Sequence, residues 1–212
     1  MKSVLCYGDS LTWGYDAAGP DRHTFEDRWP SVLQEELGEG VHVIAEGLNG
    51  RTTAFDDHLG GADRNGARML PTILGTHAPL DLVIIMLGAN DMKPWIHGNP
   101  LAAKQGMARL VSIIRGYDHG IDYPEPEILL VSPPVVNRTD NAEFKDMFAG
   151  GDKASHKLAP LYAALADEVG CGYFDAGSVA VATPLDGVHL DAENTRAIGK
   201  ALAPIVRVML EL

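Results

Sequence analysis

Apolar positions along the chain come in two spacings. Short, mostly apolar runs recur at 3–7, 41–45, 82–87 and 128–131, with a shorter one at 172–174. Between them, apolar residues return every three or four positions over longer stretches. The first spacing predicts buried strands and the second amphipathic helices. Trp29, Val32, Leu33 and Leu37 form one such stripe, ended by Gly38 and Gly40. Residues 68–76 and 155–169 predict two more helices. Residues 100–117 predict another, carrying Leu101, Met107, Leu110, Val111 and Ile114. Asp191 is suited to cap a last helix whose stripe is Ile198, Leu202, Ile205 and Met209. Pro204 falls inside that pattern and is expected to kink or split it. The run LVIIML at 82–87 is apolar at every position, as expected of a central parallel strand covered on both faces.

Alternating strands and helices predict an α/β fold, a parallel sheet of about five strands with helices on both faces. No repeat, low-complexity tract or linker divides it, so residues 1–212 are expected to form one domain. Residues 132–152 lack a period and are expected to form a long loop, the kind that is usually functional or mobile. Its Phe144, Met147 and Phe148 suggest packing on a pocket or on a neighbouring subunit.

Composition narrows the function classes. Apolar residues make up 46% and charged residues 22%, which is ordinary globular usage. A net charge of -12 with no basic run argues against nucleic acid as a partner. No window approaches about 18 uninterrupted apolar residues, so no membrane span is expected. The short run after Lys2 is no secretory h-region, which makes a cytoplasmic protein the expectation. Cys6 and Cys171 lie in apolar surroundings and are expected to be buried free thiols.

In open α/β sheets ligands collect at the carboxyl ends of the strands. Gly8-Asp9-Ser10 follows the first run, and Gly47-Leu48-Asn49-Gly50-Arg51-Thr52 lies just beyond the second. Gly88-Ala89-Asn90-Asp91 follows the third, Ser132-Pro133-Pro134 the fourth, and Asp186-Gly187-Val188-His189 precedes the last helix. Acyl transfer to serine needs a base for the hydroxyl, an acid to orient the base, and donors for the oxyanion. Ser10 fits the nucleophile, His189 the base and Asp186 its orienting acid. The oxyanion donors would be the backbone N–H of Ser10, that of Gly50, and the Asn90 side-chain amide. Taken singly, Gly-Asp-Ser and Gly-Ala-Asn-Asp are ordinary turns, and Asp-x-x-His is as readily structural or a metal pair. Their convergence on one sheet edge is what carries the chemistry.

The blocks GDSLTWG, NG at 49–50, GAND at 88–91 and DGVH at 186–189 occur in that order. Together they resemble the four blocks of the SGNH (GDSL) hydrolase superfamily. The resemblance implies a flavodoxin-like three-layer α/β/α sandwich and the same roles for Ser10, Asp186, His189, Gly50 and Asn90. Preferring Gly50 to Gly47 rests on that resemblance. The stretches LDLVIIMLGANDMK, VSPP, FDAGSV and DGVHL are similar to the bacterial arylesterase/acyltransferase branch. That branch implies short-chain aryl and small alkyl esters as substrates, perhydrolysis as a side activity, no cofactor, no metal, and a homo-oligomer, an octamer among the options.

Around this centre, Asp9 is expected to orient the nucleophile turn through backbone hydrogen bonds. Trp13 is expected either to line the pocket or simply to pack, and Trp95, Ile96 and Phe148 to form an apolar wall. Arg51 is expected in a surface ion pair rather than on substrate, and Asp91 to buttress its own turn. The seven histidines other than His189 are expected at the surface or in packing, with His97 near the site. Three other readings compete. A carbohydrate O-acetylesterase would use the same triad. A flavodoxin-like binding module lacks a G-x-G-x-x-G or G-x-x-x-x-G-K cradle. A metallohydrolase through Asp9, Asp186 and His189 lacks a recognisable ligand set.

Overall fold

The five apolar runs pair as five parallel strands: β1 (Lys2–Gly8), β2 (Val41–Gly47), β3 (Leu82–Met86), β4 (Glu127–Ser132) and β5 (Gly172–Asp175). Their order across the sheet is β2-β1-β3-β4-β5. The computed structural model describes residues 1–19, 21–120 and 123–212. From β1 the chain crosses to one side to form β2, then returns across β1 to form β3. The carboxyl ends of β1 and β3 therefore flank the point where the winding reverses, the place where this architecture opens a crevice.

The central run explains the three layers. Leu82, Ile84 and Met86 pack with Trp29, Leu33, Ile198 and Leu202 on one face. Val83, Ile85 and Leu87 pack with Leu70, Leu74, Met107, Leu110 and Tyr162 on the other. Strand side chains alternate between faces, so a run buried on both sides must be apolar throughout. The first face is covered by α2 (Trp29–Leu37) and α8 (Ala192–Met209), the second by α3 (Gly66–His77), α4 (Pro100–Gly116) and α7 (Leu158–Val169). This is the expected three-layer α/β/α sandwich.

Three expectations change. Pro204 does not divide α8, which runs unbroken to Met209. Pro204 is exposed, so the carbonyl it leaves without a helical partner lies on the solvent side, where water can satisfy it. The stretch 132–152 is not an unstructured loop: it holds α5 (Ala142–Met147), capped by Asn141, and the one-turn α6 (Gly151–Ala154). Helices of one or two turns are too short to show a period. Cys171 is only partly buried, whereas Cys6 is fully buried, and both are free thiols.

α2 and α8 cross closely at Gly199. A β-carbon there would stand 2.6 Å from the Trp29 carbonyl oxygen and 2.7 Å from the Val32 β-carbon. Alanine would gain about 1 kcal/mol in helix propensity. It would lose about 1–3 kcal/mol by overpacking against backbone that cannot yield. Gly199→Ala should therefore lower the urea midpoint; an unchanged or higher midpoint would show that the two helices can separate freely.

Candidate active site

Ser10 is the first residue of α1 (Ser10–Trp13), which starts directly after β1. Asp9 caps that turn, its Oδ1 accepting the Leu11 N–H at 2.9 Å. Gly8 makes the tight exit feasible: a β-carbon there would lie 2.0 Å from Thr12 Oγ1 and 2.9 Å from the Met86 carbonyl. The turn thus presents the serine hydroxyl above the crevice between β1 and β3.

His189 reaches it from 179 residues away, with Nε2 2.9 Å from Ser10 Oγ. Its Nδ1 is 2.6 Å from Asp186 Oδ2. Asp186 Oδ1 accepts the backbone N–H groups of Val188 and His189, both at 2.9 Å. Burial pushes the Asp186 pKa upward, but the His189 hydrogen bond and these backbone donors outweigh it and hold the carboxyl below its ordinary range. The imidazole is packed between Tyr15, with ring centroids 4.1 Å apart, and Phe144, edge-on at 5.7 Å. The segment before α5 straps this turn in place. Asn137 N–H donates to the Gly187 carbonyl at 2.7 Å, and Asn137 Nδ2 to the Ala182 carbonyl at 3.0 Å. Gly187 has a φ of 78°, and a β-carbon there would collide with the Asn137 carbonyl at 2.3 Å.

Gly50, with a φ of 83°, and Asn90 line the same cavity as Ser10 and His189, a space of about 380 Å³. Gly47 does not line it: it belongs to β2 and lies against the backbone of Trp13, 2.2 Å from where a β-carbon would stand. Asn90 Nδ2 donates to Asp9 Oδ2 and to the Arg51 carbonyl, both at a long 3.2 Å. These weak contacts fix the amide at the cavity wall and yield readily to a better acceptor.

Of the expected wall, Trp95 and Phe148 line the cavity and Trp13 and Ile96 do not. Trp13 ends α1, Gly14 reverses the chain, and the indole lies under Arg22 at 4.6 Å. Ile96 sits on a turn closed by its own N–H to the Lys93 carbonyl, and Lys93 and Trp95 line the cavity instead. Arg51 is not a surface residue. It is buried, donates to the Gly8 carbonyl at 2.8 Å and to the Glu46 carbonyl, and lies over the Tyr7 ring. It ties the ends of β1 and β2 together. Asp91 reaches beyond its own turn to accept from Thr53 N–H and Oγ1. His23 is buried, its Nε2 2.9 Å from the Leu190 carbonyl, and His97 packs edge-on against Phe55.

Tyr15, Arg64 and Lys93 also line the cavity and were not singled out by the sequence, as does Asn49, which was noted only as part of the NG block. Tyr15 arrives on a two-residue ribbon, Tyr15–Asp16 against Asp21–Arg22, too short to show alternation. A second cavity of about 520 Å³ lies beside the first. Phe144 and Phe148 line both, and Asp186 borders the second. No group of three or more His, Cys, Asp or Glu able to hold a metal occurs among the described residues. No helix among them is long and apolar enough to cross a membrane.

The sequence model of the GDSL-like Lipase/Acylhydrolase family matches residues 6–197. A crystal structure of a carbohydrate acetylesterase family member from Sinorhizobium meliloti is 65% identical, covers 100% of both chains, and superposes with a TM-score of 0.99. The aryl esterase of M. smegmatis is 43% identical over 99% of this chain and 100% of its own, with a TM-score of 0.93. A carbohydrate acetylesterase from Sinorhizobium meliloti is 41% identical with the same coverage and a TM-score of 0.93. No curated protein sequence matches the chain.

Two fully buried carboxyls support this crevice. Burial raises Asp9 and Asp91 from the ordinary 3.8 to about 6 each, against the pull of the hydrogen bonds they accept. With folded values above the unfolded one, their contribution to stability is full below 3.8 and is lost as pH rises through about 6. Carboxyl-carbon NMR titration should find two aspartates with midpoints near 6, assigned by Asp9→Asn and Asp91→Asn. Midpoints near 4 at both would mean that water reaches them.

Proposed function

We propose, for a chain that belongs to the GDSL-like lipase/acylhydrolase family and is an ester hydrolase, that it cleaves short acyl esters of aryl and small alkyl alcohols through an acyl-enzyme on Ser10. One observation carries this reading: the unbroken chain from Ser10 Oγ through His189 to Asp186, at 2.9 and 2.6 Å, on the wall of a cavity that Gly50 and Asn90 also line.

In the proposed reaction Ser10 Oγ attacks the ester carbonyl while its proton passes to His189 Nε2. Asp186 holds the Nδ1 proton, fixes the tautomer and stabilises the imidazolium. The backbone N–H groups of Ser10 and Gly50 and the Asn90 amide receive the oxyanion. Asn90 exchanges its long bond to the neutral Arg51 carbonyl for a charge-assisted one to the oxyanion, so the donor strengthens as negative charge develops. His189 then protonates the departing alkoxide. Water, activated by the same imidazole, releases the acid and restores the serine. A different nucleophile at that step gives acyl transfer, and hydrogen peroxide gives a peracid.

The cavity supports short acyl groups. Trp95 and Phe148 bound it together with Phe144, in a space of about 380 Å³. A second reading, a carbohydrate O-acetylesterase acting with the same residues, is favoured by the name of the 65% identical relative. Acetate release from acetylated xylan but not from aryl acetates would select it.

Ser10→Ala should reduce p-nitrophenyl acetate hydrolysis on the order of 10⁴-fold or more. A serine-reactive phosphonate should label Ser10, as located by mass spectrometry. Label on another residue, or a rate within about tenfold of wild type, would overturn the assignment. Trp95→Ala should raise kcat/KM for butyrate and hexanoate esters relative to acetate. An unchanged chain-length profile would remove Trp95 from the acyl wall.

A further inference from the structure

Lys93 is a cation in this cavity without a partner of its own. The residue is only 6% exposed, yet it lines the same space as Ser10, Gly50 and His189. Among the described residues its ammonium has no hydrogen-bond or ion-pair partner, and its recorded neighbours are aromatic rings. The carboxylates whose charge it senses are already engaged elsewhere. Asp57 accepts from Arg64 at 2.8 Å and from the Leu59 N–H at 3.2 Å. Asp91 accepts from Thr53, and Asp9 from Leu11 and Asn90. What Lys93 does have is two rings: its Nζ stands 5.7 Å from the centroid of Phe148 and 5.8 Å from that of Trp95.

The ammonium is not sealed from solvent, so water can meet its three donors until a ligand in the cavity takes their place. Burial pushes the Lys93 pKa below the ordinary lysine range, opposed first by Asp57. A neutral acceptor in the cavity would satisfy a donor and leave the charge unbalanced; a carboxylate does both. Arg64, the other cation on the wall, is held by Asp57 and is not free in the same sense. Trp95 and Phe148 add flat apolar surface beside the ammonium.

Resting on the ester-hydrolase reading above, we infer that Lys93 is a specificity-determining residue, and that the enzyme selects esters carrying a carboxylate near the scissile bond. The kinetic test compares acetate release from 4-acetoxybenzoate with that from its methyl ester, in wild type and in Lys93→Met. The ratio of kcat/KM, carboxylate over methyl ester, should fall about tenfold in the variant, the loss expected for one charge-assisted hydrogen bond. An equal ratio in both proteins overturns the inference. Binding supplies a second test that needs neither the variant nor turnover. By calorimetry, wild type should bind 4-hydroxybenzoate about tenfold more tightly than methyl 4-hydroxybenzoate. Equal or weaker binding of the carboxylate overturns the inference even if Lys93→Met fails to fold. If wild type releases acetate from neither ester but prefers the carboxylate in binding, the ester-hydrolase reading fails and the anion site stands.

Discussion

The hydrogen bond between Ser10 and His189 joins the first strand of the chain to the turn before its last helix, and the rest of the molecule is arranged so that it can form. A hydroxyl and an imidazole 179 residues apart meet at 2.9 Å only if both segments are fixed independently of each other. On the serine side, the fixing is done by the sheet: β1 sits between β2 and β3, and a glycine at its end lets the chain turn without a side chain in the way. On the histidine side no sheet is available. The turn is held by Asp186 accepting its own backbone N–H groups and by the Asn137 strap, a network of local bonds with its polar atoms largely satisfied.

The support beneath the crevice is polar, which is unusual for a region this buried. Asp9, Arg51, Asn90, Asp91 and Thr53 interlock below the serine turn with almost no exposure. Asp9, Arg51, Asn90 and Asp91 each have a backbone partner and Thr53 Oγ1 donates to Asp91, so the loops after β1, β2 and β3 are tied to each other rather than packed by apolar contact. An apolar filling would be cheaper in stability. It would not specify the direction of the Asn90 amide or the height of the serine turn, and half an ångström in either changes what the cavity can bind. The local Arg51 Nε, buried with no hydrogen-bond partner, is the one part of the network left incomplete among the side chains named here.

Much of this was legible before any coordinates. The strands announced themselves because burial on two faces demands apolar residues at every position, and 82–87 meets that demand without exception. Ser10, Asn90, Asp186 and His189 stood out through their convergence on one sheet edge, since each segment alone reads as a turn, and Gly50 was preferred to Gly47 on the family resemblance. What was hidden is equally physical. Arg51 looked like a surface cation because charge pattern says nothing about a guanidinium capping strand carbonyls. Ile96 was misplaced because sequence proximity to a site residue does not set direction, and of the two readings open for Trp13 the packing one holds, its ring lying under Arg22. Tyr15 and Lys93 reach the site through tertiary folding of segments too short or too irregular to carry a period.

The two cavities have a consequence for how this scaffold diversifies. Phe144, inside a six-residue helix, and Phe148, which caps its end, line both the chamber that holds Ser10 and the larger void bordered by Asp186. The divider is one aromatic layer, mounted on a segment that contributes nothing to the sheet. Smaller side chains at these two positions would thin the wall the chambers share, and bulkier ones would thicken it. Substrate size can therefore drift across descendants through a replaceable partition, while the inherited frame beneath stays as it is.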